Sequence, residues 1–383
     1  MPTRAGWIVV AGAVAAGAAG RALGAVELYV LAAIALVLVI AAVAWVRRPS
    51  PALDVRRHVR PVRPSRGAPA RVELELVNRG RQRTPVLTLH DAVEGTVGAR
   101  LVIAPLAPGA PQQLGYRLPT GRRGRLRIGP LTAVVVDPFG LARRRVVGIG
   151  DELVTILPTV EPLGRAPAGG GQQEPLVGQS TRSIATSGIE DLATLRPYVV
   201  GDDLRRVHWP SSAHADDLLV RRDEERWQGH LTVLIDVDEG AMGPDAFEQA
   251  VSAAATLVHA TSEAGDRVRL ATTEGFDSAM VDARRAEGDL LEQLAYLAQS
   301  AHPFALPVAE GGGRSALVVL TGPGGPVRPA EHPGRERFGS LAVVRFAPDP
   351  SAAQPGDVVV APGRRFAEAW SAADPLARRT AER

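Results

Sequence analysis

The chain is 383 residues long, 45% hydrophobic and 22% charged, with formal net charge +3 and no Cys. Lys is absent as well, so apart from His every basic side chain is Arg. These two absences exclude disulfides, thiolate metal sites and Cys nucleophiles. They also exclude a P-loop, whose Lys must reach the phosphates, and Schiff-base or pyridoxal-lysine chemistry. The length suits two or three domains, and Arg in place of Lys among so much Ala, Gly and Pro points to a GC-rich genome.

Leu28–Val46 has neither charge nor proline. At ~1.5 Å per residue it covers about 28 Å, the thickness of a bilayer's hydrocarbon core. Tyr29 and Trp45 sit near its ends, where interfacial aromatics belong, and Arg47 and Arg48 follow at once. Ala5–Gly20 is a second apolar run, rich in Ala and Gly, that reaches a full span if extended through Val26. The rival reading of this run is a signal peptide. The close succession of the two runs favours a transmembrane helical hairpin, about 5–26 and 28–46, turning near Arg21–Glu27. Residues 47–66 then carry seven Arg against Asp54. By Arg bias the expectation is a multi-pass anchor in the plasma membrane, with the N-terminus and the bulk of the chain cytoplasmic. The basic segment 49–69 is read as setting topology. Its Arg alternate with Pro and Val rather than aromatics, which speaks against nucleic acid.

Residues 70–160 show alternation with turn residues between runs, first in Arg71–Val77, where Val72, Leu74 and Leu76 share one face. Val86–His90, Leu101–Ile103, Gln113–Leu118, Gly124–Ile128, Leu131–Val136 and Val154–Leu157 follow as strands, which together predict a small β-sandwich. His90 and Asp91 would point to opposite faces and are read as a surface polar pair. Residues 161–187, rich in Gly, Pro and Gln, are read as a linker.

From 229 to 383 the chain is acidic, with apolar strands alternating with helices. His230–Ile235 is a strand ending at Asp236. Gly243-Pro244 opens a helix to about Ala264, with Phe247, Val251, Ala254 and Val258 on one face. Arg267–Thr272 and Ser278–Asp282 form a hairpin, a helix bears Leu290, Leu294 and Leu297, strands lie at Ala316–Leu320, Leu341–Phe346 and Val358–Val360, and a last helix begins near Arg365. This alternation predicts an α/β domain of Rossmann type with a mostly parallel sheet. Ligands bind such sheets at the carboxyl ends of strands, where Asp236 and Thr321 fall.

Between these regions, in 188–228, lies Gly188-Ile-Glu-Asp-Leu-Ala-Thr-Leu-Arg196-Pro-Tyr198-Val-Val-Gly201-Asp202-Asp203-Leu-Arg205-Arg-Val-His208-Trp209-Pro-Ser-Ser212-Ala213. This segment resembles the signature of the "domain of unknown function 58" family. Leu192 stands in place of a usual Phe, and His214 where Arg is common. Arg123-Gly124 and Asp137-Pro138-Phe139-Gly140-Leu141 also resemble that family's β-region, and the two apolar runs its usual architecture. The resemblance implies a von Willebrand factor A-like C-terminal domain in a membrane-anchored adaptor. Such proteins are commonly encoded beside MoxR-type AAA+ ATPases and transglutaminase-like membrane proteins. A von Willebrand A domain often holds Mg²⁺ through D-x-S-x-S after its first strand, with a Thr and an Asp from later loops. Here the motif is Asp236-Val-Asp238-Glu-Gly240. Asp236 and Asp238 are the candidate ligands, Gly240 offers no side chain, and Leu320-Thr321-Gly322-Pro323 lacks the later Asp. Asp236 as a cap in a relic loop is the competing reading.

Arg196, Tyr198, Gly201, Asp202, Asp203, Arg205, His208 and Trp209 form either a structural cluster or a partner-binding face. In the structural version, Arg196, Asp202, Asp203, Arg205 and Trp209 make a buried ion-pair and aromatic cluster. His208, Ser211, Ser212 and Asp203 supply the residue types of a nucleophilic triad. No G-x-S-x-G elbow and no H-E-x-x-H accompanies them. The expectation is therefore a non-enzymatic adaptor with no catalytic residue and no required cofactor, against the alternatives of a hydrolase or a metal-dependent adhesion module.

Overall fold

The computed structural model describes residues 1–47, 52–164, 194–198, 207, 209–213, 218–222, 229–301, 316–325, 338–349 and 356–373. Contacts divide the chain into two units, Met1–Val160 with Leu291–Leu297, and Glu161–Leu290 with Ala298–Arg383.

The first unit opens with helices α1 (Arg4–Leu23) and α2 (Val26–Val46). Thr3 caps α1, its hydroxyl accepting the Gly6 N–H at 3.1 Å. Gly24 ends α1 with φ 65°, a conformation only Gly adopts cheaply, and the chain reverses within two residues. Both helices are long and apolar enough to cross a membrane by length and composition. Arg21 and Glu27, read as flanking the turn, lie inside the helices.

Eight strands follow, β1 (Leu53–Arg60), β2 (Ala70–Asn78), β3 (Leu87–Val93), β4 (Ala99–Ile103), β5 (Pro111–Leu118), β6 (Gly124–Val136), β7 (Arg143–Ile149) and β8 (Glu152–Ile156). One antiparallel sheet has the order β1-β2-β5, and a second the order β4-β3-β6-β7, with β8 on the other stretch of β6. Their inward rows meet in one cluster that includes Val72, Leu74 and Leu76 of β2, Leu87 and Leu89 of β3, and Ile128, Leu131 and Ala133 of β6. The stripe Val39, Ala42 and Val46 of α2 joins the same cluster.

Two expectations change here. The β region starts at Leu53, inside the segment read as a basic collar, because Arg57 occupies an inward place in an otherwise alternating strand. The two strands expected at Gly124–Ile128 and Leu131–Val136 are one strand, running through Gly129-Pro130.

His90 and Asp91 do point to opposite faces, yet they are not a surface pair: His90 is exposed while Asp91 is 1% exposed. Asp91 takes a bidentate pair from Arg57, Nη2 at 2.6 Å and Nε at 3.2 Å, and a hydrogen bond from the Tyr116 hydroxyl at 2.7 Å. Arg57 and Tyr116 stand on the three-stranded sheet and Asp91 on the other, so the network ties the two sheets together. Burial, then the hydrogen bond to Asp91 and the charge on that carboxylate, raises the Tyr116 pKa and keeps the phenol protonated as donor.

The second unit contains β9 (Thr194–Pro197), the short helix α3 (Trp209–Ser212) and β10 (Leu219–Arg222), with β9 and β10 paired antiparallel. Then come β11 (His230–Ile235), α4 (Pro244–Ala264), β12 (Arg267–Thr272), β13 (Val281–Asp282), α5 (Ala283–Tyr296), whose residues from Leu291 on belong to the first unit, β14 (Ala316–Thr321), β15 (Ser340–Phe346), β16 (Val358–Val360) and α6 (Phe366–Ala373). The sheet order is β13-β12-β11-β14-β15-β16, parallel except for edge strand β13. The near-continuous burial of β11, β12 and β14 is what a sheet covered on both faces demands. Leu234, Ala271, Val319 and Val343 align in register across it. Pro244 starts α4 and Gly265 closes it with φ 75°.

Removing one member of the Arg57–Asp91 pair leaves an uncompensated buried charge. Asp91→Ala should cost about 3–5 kcal/mol in a urea titration of the solubilised protein. The double variant Arg57→Met with Asp91→Leu should recover most of that loss.

Candidate functional site

Strand order reverses between β11 and β14, since the chain leaves β11 for β12 and returns to β14 on its other side. In doubly wound sheets this is where the carboxyl ends open a crevice. Asp236 follows β11 there, 1% exposed. Its Oδ2 accepts the Thr321 hydroxyl at 2.7 Å, and its Oδ1 accepts the Asp238 N–H at 3.2 Å. Its own N–H donates to the Leu320 carbonyl at 2.9 Å. Just past the end of β12 the Thr273 hydroxyl accepts the Val237 N–H at 3.0 Å. Burial raises the Asp236 pKa above the usual carboxylate range, and the nearby Asp238 charge adds to this; hydrogen bonds from Thr321 and Asp238 pull the other way.

The loop after β14 is fitted closely around this carboxylate. Gly324 N–H donates to the Ala241 carbonyl at 3.0 Å. A Cβ on Gly322 would fall 2.1 Å from that same carbonyl oxygen, and one on Gly325 would fall 1.9 Å from Thr321 Oγ1. From β15, Arg345, 2% exposed, donates to the Gly322 carbonyl at 3.2 Å and pairs with Asp357 at 2.6 Å. The strand ends thus hold together a buried carboxylate, two hydroxyls and a pinned loop.

Asp236 and Thr321 meet as expected for residues at adjacent strand ends. Asp238 is two residues on and partly exposed. Both Asp236 oxygens already accept hydrogen bonds, and among the described residues no group of three His, Cys, Asp or Glu gathers here or elsewhere. That donor set is thin for a hard octahedral cation, which wants about six oxygens. Thr273, Arg345 and Gly325 were not singled out in the sequence. Thr272-Thr273 at the end of β12 was the available signal, by the same strand-end logic that marks Asp236.

The signature segment is described in part. Arg196 lies on β9 opposite Val220 of β10, and the Tyr198 N–H donates to the Leu218 carbonyl at 2.7 Å. Trp209 opens α3 and is 62% exposed, which corrects its expected place in a buried aromatic cluster. Gly201, Asp202, Asp203, Arg205 and His208 lie outside the described residues, as does the linker from 165 to 187. Ser211 and Ser212 fall in α3.

The sheet defines the second unit as a doubly wound α/β domain with one antiparallel edge. Residues 194–324 match the family model described as "Protein of unknown function DUF58", and over those residues the chain is similar to that family. No curated protein matches the sequence. Among solved structures, the CARDB domain of the PF1109 protein from Pyrococcus furiosus is 18% identical, over 28% of this chain and 90% of that one, with TM-score 0.23. The alkylpurine DNA glycosylase AlkC of Pseudomonas fluorescens is 17% identical, over 32% of this chain and 33% of that one, with TM-score 0.20. At these scores neither carries an argument.

Because the Asp236 pKa is raised on folding, the folded form takes up a proton first as pH falls. The destabilising cost is therefore full above the folded value and fades as pH drops toward the unfolded one. Asp236→Asn, which keeps one acceptor and gains a donor toward Thr321, should melt above wild type at alkaline pH, and the gap should close in acid. Gly325→Ala should lower the melting temperature at every pH.

Proposed function

We propose that this protein is a membrane-anchored scaffold facing the cytoplasm. In this reading a β-sandwich and a von Willebrand factor A-like domain are carried on a transmembrane hairpin. The protein works by binding a partner, which the family resemblance suggests is a MoxR-type AAA+ ATPase. The observation that carries the reading is Trp209. A Trp left 62% exposed at the head of a short helix, inside the family signature, is the residue type that anchors protein interfaces. Three further features support it. The sheet order, with its antiparallel edge strand and Asp236 at the switch point, suits an A-like domain. The Arg-rich stretch after α2 favours a cytoplasmic bulk. A chain with no Lys has no P-loop, so P-loop-driven work would have to come from another protein.

Affinity capture on the detergent-solubilised full chain tests the reading. Wild type should retain an AAA+ ATPase in amounts that depend on ATP, and Trp209→Ala should lower retention at least ~10-fold, the effect of an interface anchor. Recovery of no AAA+ protein with or without ATP overturns it. The same reading expects no adduct with a serine-directed fluorophosphonate. It also expects no calorimetric heat with Mg²⁺ that disappears in Asp236→Ala.

A further inference from the structure

The turn from β6 to β7, Asp137-Pro-Phe-Gly-Leu-Ala142, is braced from within. The buried Asp137 carboxylate accepts the Phe139 N–H at 2.9 Å and the Ala142 N–H at 2.5 Å. Gly140, with φ 71°, donates its N–H to the Asp137 carbonyl at 3.0 Å. The same turn is fastened to the start of α1. Thr3 donates its N–H to the Leu141 carbonyl at 2.8 Å and its hydroxyl to the Gly140 carbonyl at 2.6 Å. Pro2 bridges to Ala142. Gly6 lies so close that a Cβ there would come within 2.2 Å of the Leu141 oxygen. The turn therefore runs beside the first helical turn of α1, level with the open end of the hairpin.

Phe139 joins this bracing through its backbone N–H alone, and the residue is 66% exposed. Just beyond it come Arg143, Arg144 and Arg145. Arg144 donates to the Arg47 carbonyl at the end of α2 at 3.2 Å, so the triplet also sits by the second helix. Arg143 and Arg145 share the opposite face of β7 and are exposed. An exposed aromatic on a stiff turn, beside the ends of two apolar helices and backed by guanidinium groups, has the chemistry of a bilayer interface. Aromatic rings settle at the headgroup level, and Arg pairs with lipid phosphate.

We propose that the Pro138-Phe139 turn is a third membrane contact. Phe139 enters the headgroup–acyl boundary of the cytoplasmic leaflet, while Arg143 and Arg145 meet the phosphates of anionic lipids. The contact would hold the β region at a set height on the membrane. This rests on reading the hairpin as spanning.

Because the chain has no Cys, a single introduced Cys labels one position only. Pro138→Cys, Phe139→Cys, Leu36→Cys within α2 and Val97→Cys would each carry an environment-sensitive nitrobenzoxadiazole label. The full chain would sit in nanodiscs of phosphatidylcholine and phosphatidylglycerol. Val97, 95% exposed, lies past the far end of β3, about 20 Å along the strand from this turn at ~3.3 Å per residue. Labels at 138, 139 and 36 should emit in the blue, with 138 and 139 quenched by lipids bearing a nitroxide high on the acyl chain. The label at 97 should emit as in water. Adding Arg143→Gln and Arg145→Gln to Phe139→Cys should at least halve the quenching at 139, and unchanged quenching would remove the Arg from the contact. Aqueous emission at both 138 and 139 with bilayer emission at 36 overturns the proposal alone. Aqueous emission at 36 as well overturns the anchor beneath it.

Discussion

A charge withdrawn from water must find its partners inside the protein, or the fold bears the full cost of desolvating it. Both units answer that constraint at their centres. In the β region Asp91 is satisfied only when Arg57 and Tyr116 reach it from the opposing sheet, so the two sheets come together in a single register. In the α/β unit Asp236 is satisfied by Thr321 and the Asp238 N–H, which draws the loop after β14 over the end of β11. Arg345 then holds that loop from the next strand. Each carboxylate is consumed in fixing the geometry around it.

Much of this architecture is legible in the residues, and what is hidden is hidden for stateable reasons. The two apolar helices and the alternation of strands and helices after His230 follow from hydropathy period, and the observed elements stand within a few residues of the expected ones. Strand β1 is concealed because its inward row includes Arg57, which looks like one more charge in a basic run until its carboxylate, 34 residues away, is placed beside it. Asp91 shows the same limit: alternation says that it opposes His90 but not which of the two faces inward. At the candidate site, Asp236 and Thr321 are visible as strand ends. Gly322 and Gly325 are not, because their need for a bare Cα comes from a loop folding back on Ala241 and Thr321. Trp209 is ambiguous for the converse reason: an aromatic in a signature segment suits a core or a partner-binding face, and its exposure speaks against the core.

The scaffold we propose is a protein whose chemistry is recognition. Among its exposed aromatics, Trp209 lies in the signature segment and Phe139 at the open end of the helical hairpin, and its sequence holds no P-loop. Anchoring the β region and presenting the α/β unit to a soluble motor is a division of labour that such a chain can perform.

Site-specific photocrosslinking in living cells bears on that claim most directly. With benzoylphenylalanine in place of Trp209, the account predicts one discrete adduct whose partner is an AAA+ ATPase and whose yield changes with the partner's nucleotide state. Adducts confined to lipid or to a second copy of this chain would contradict it.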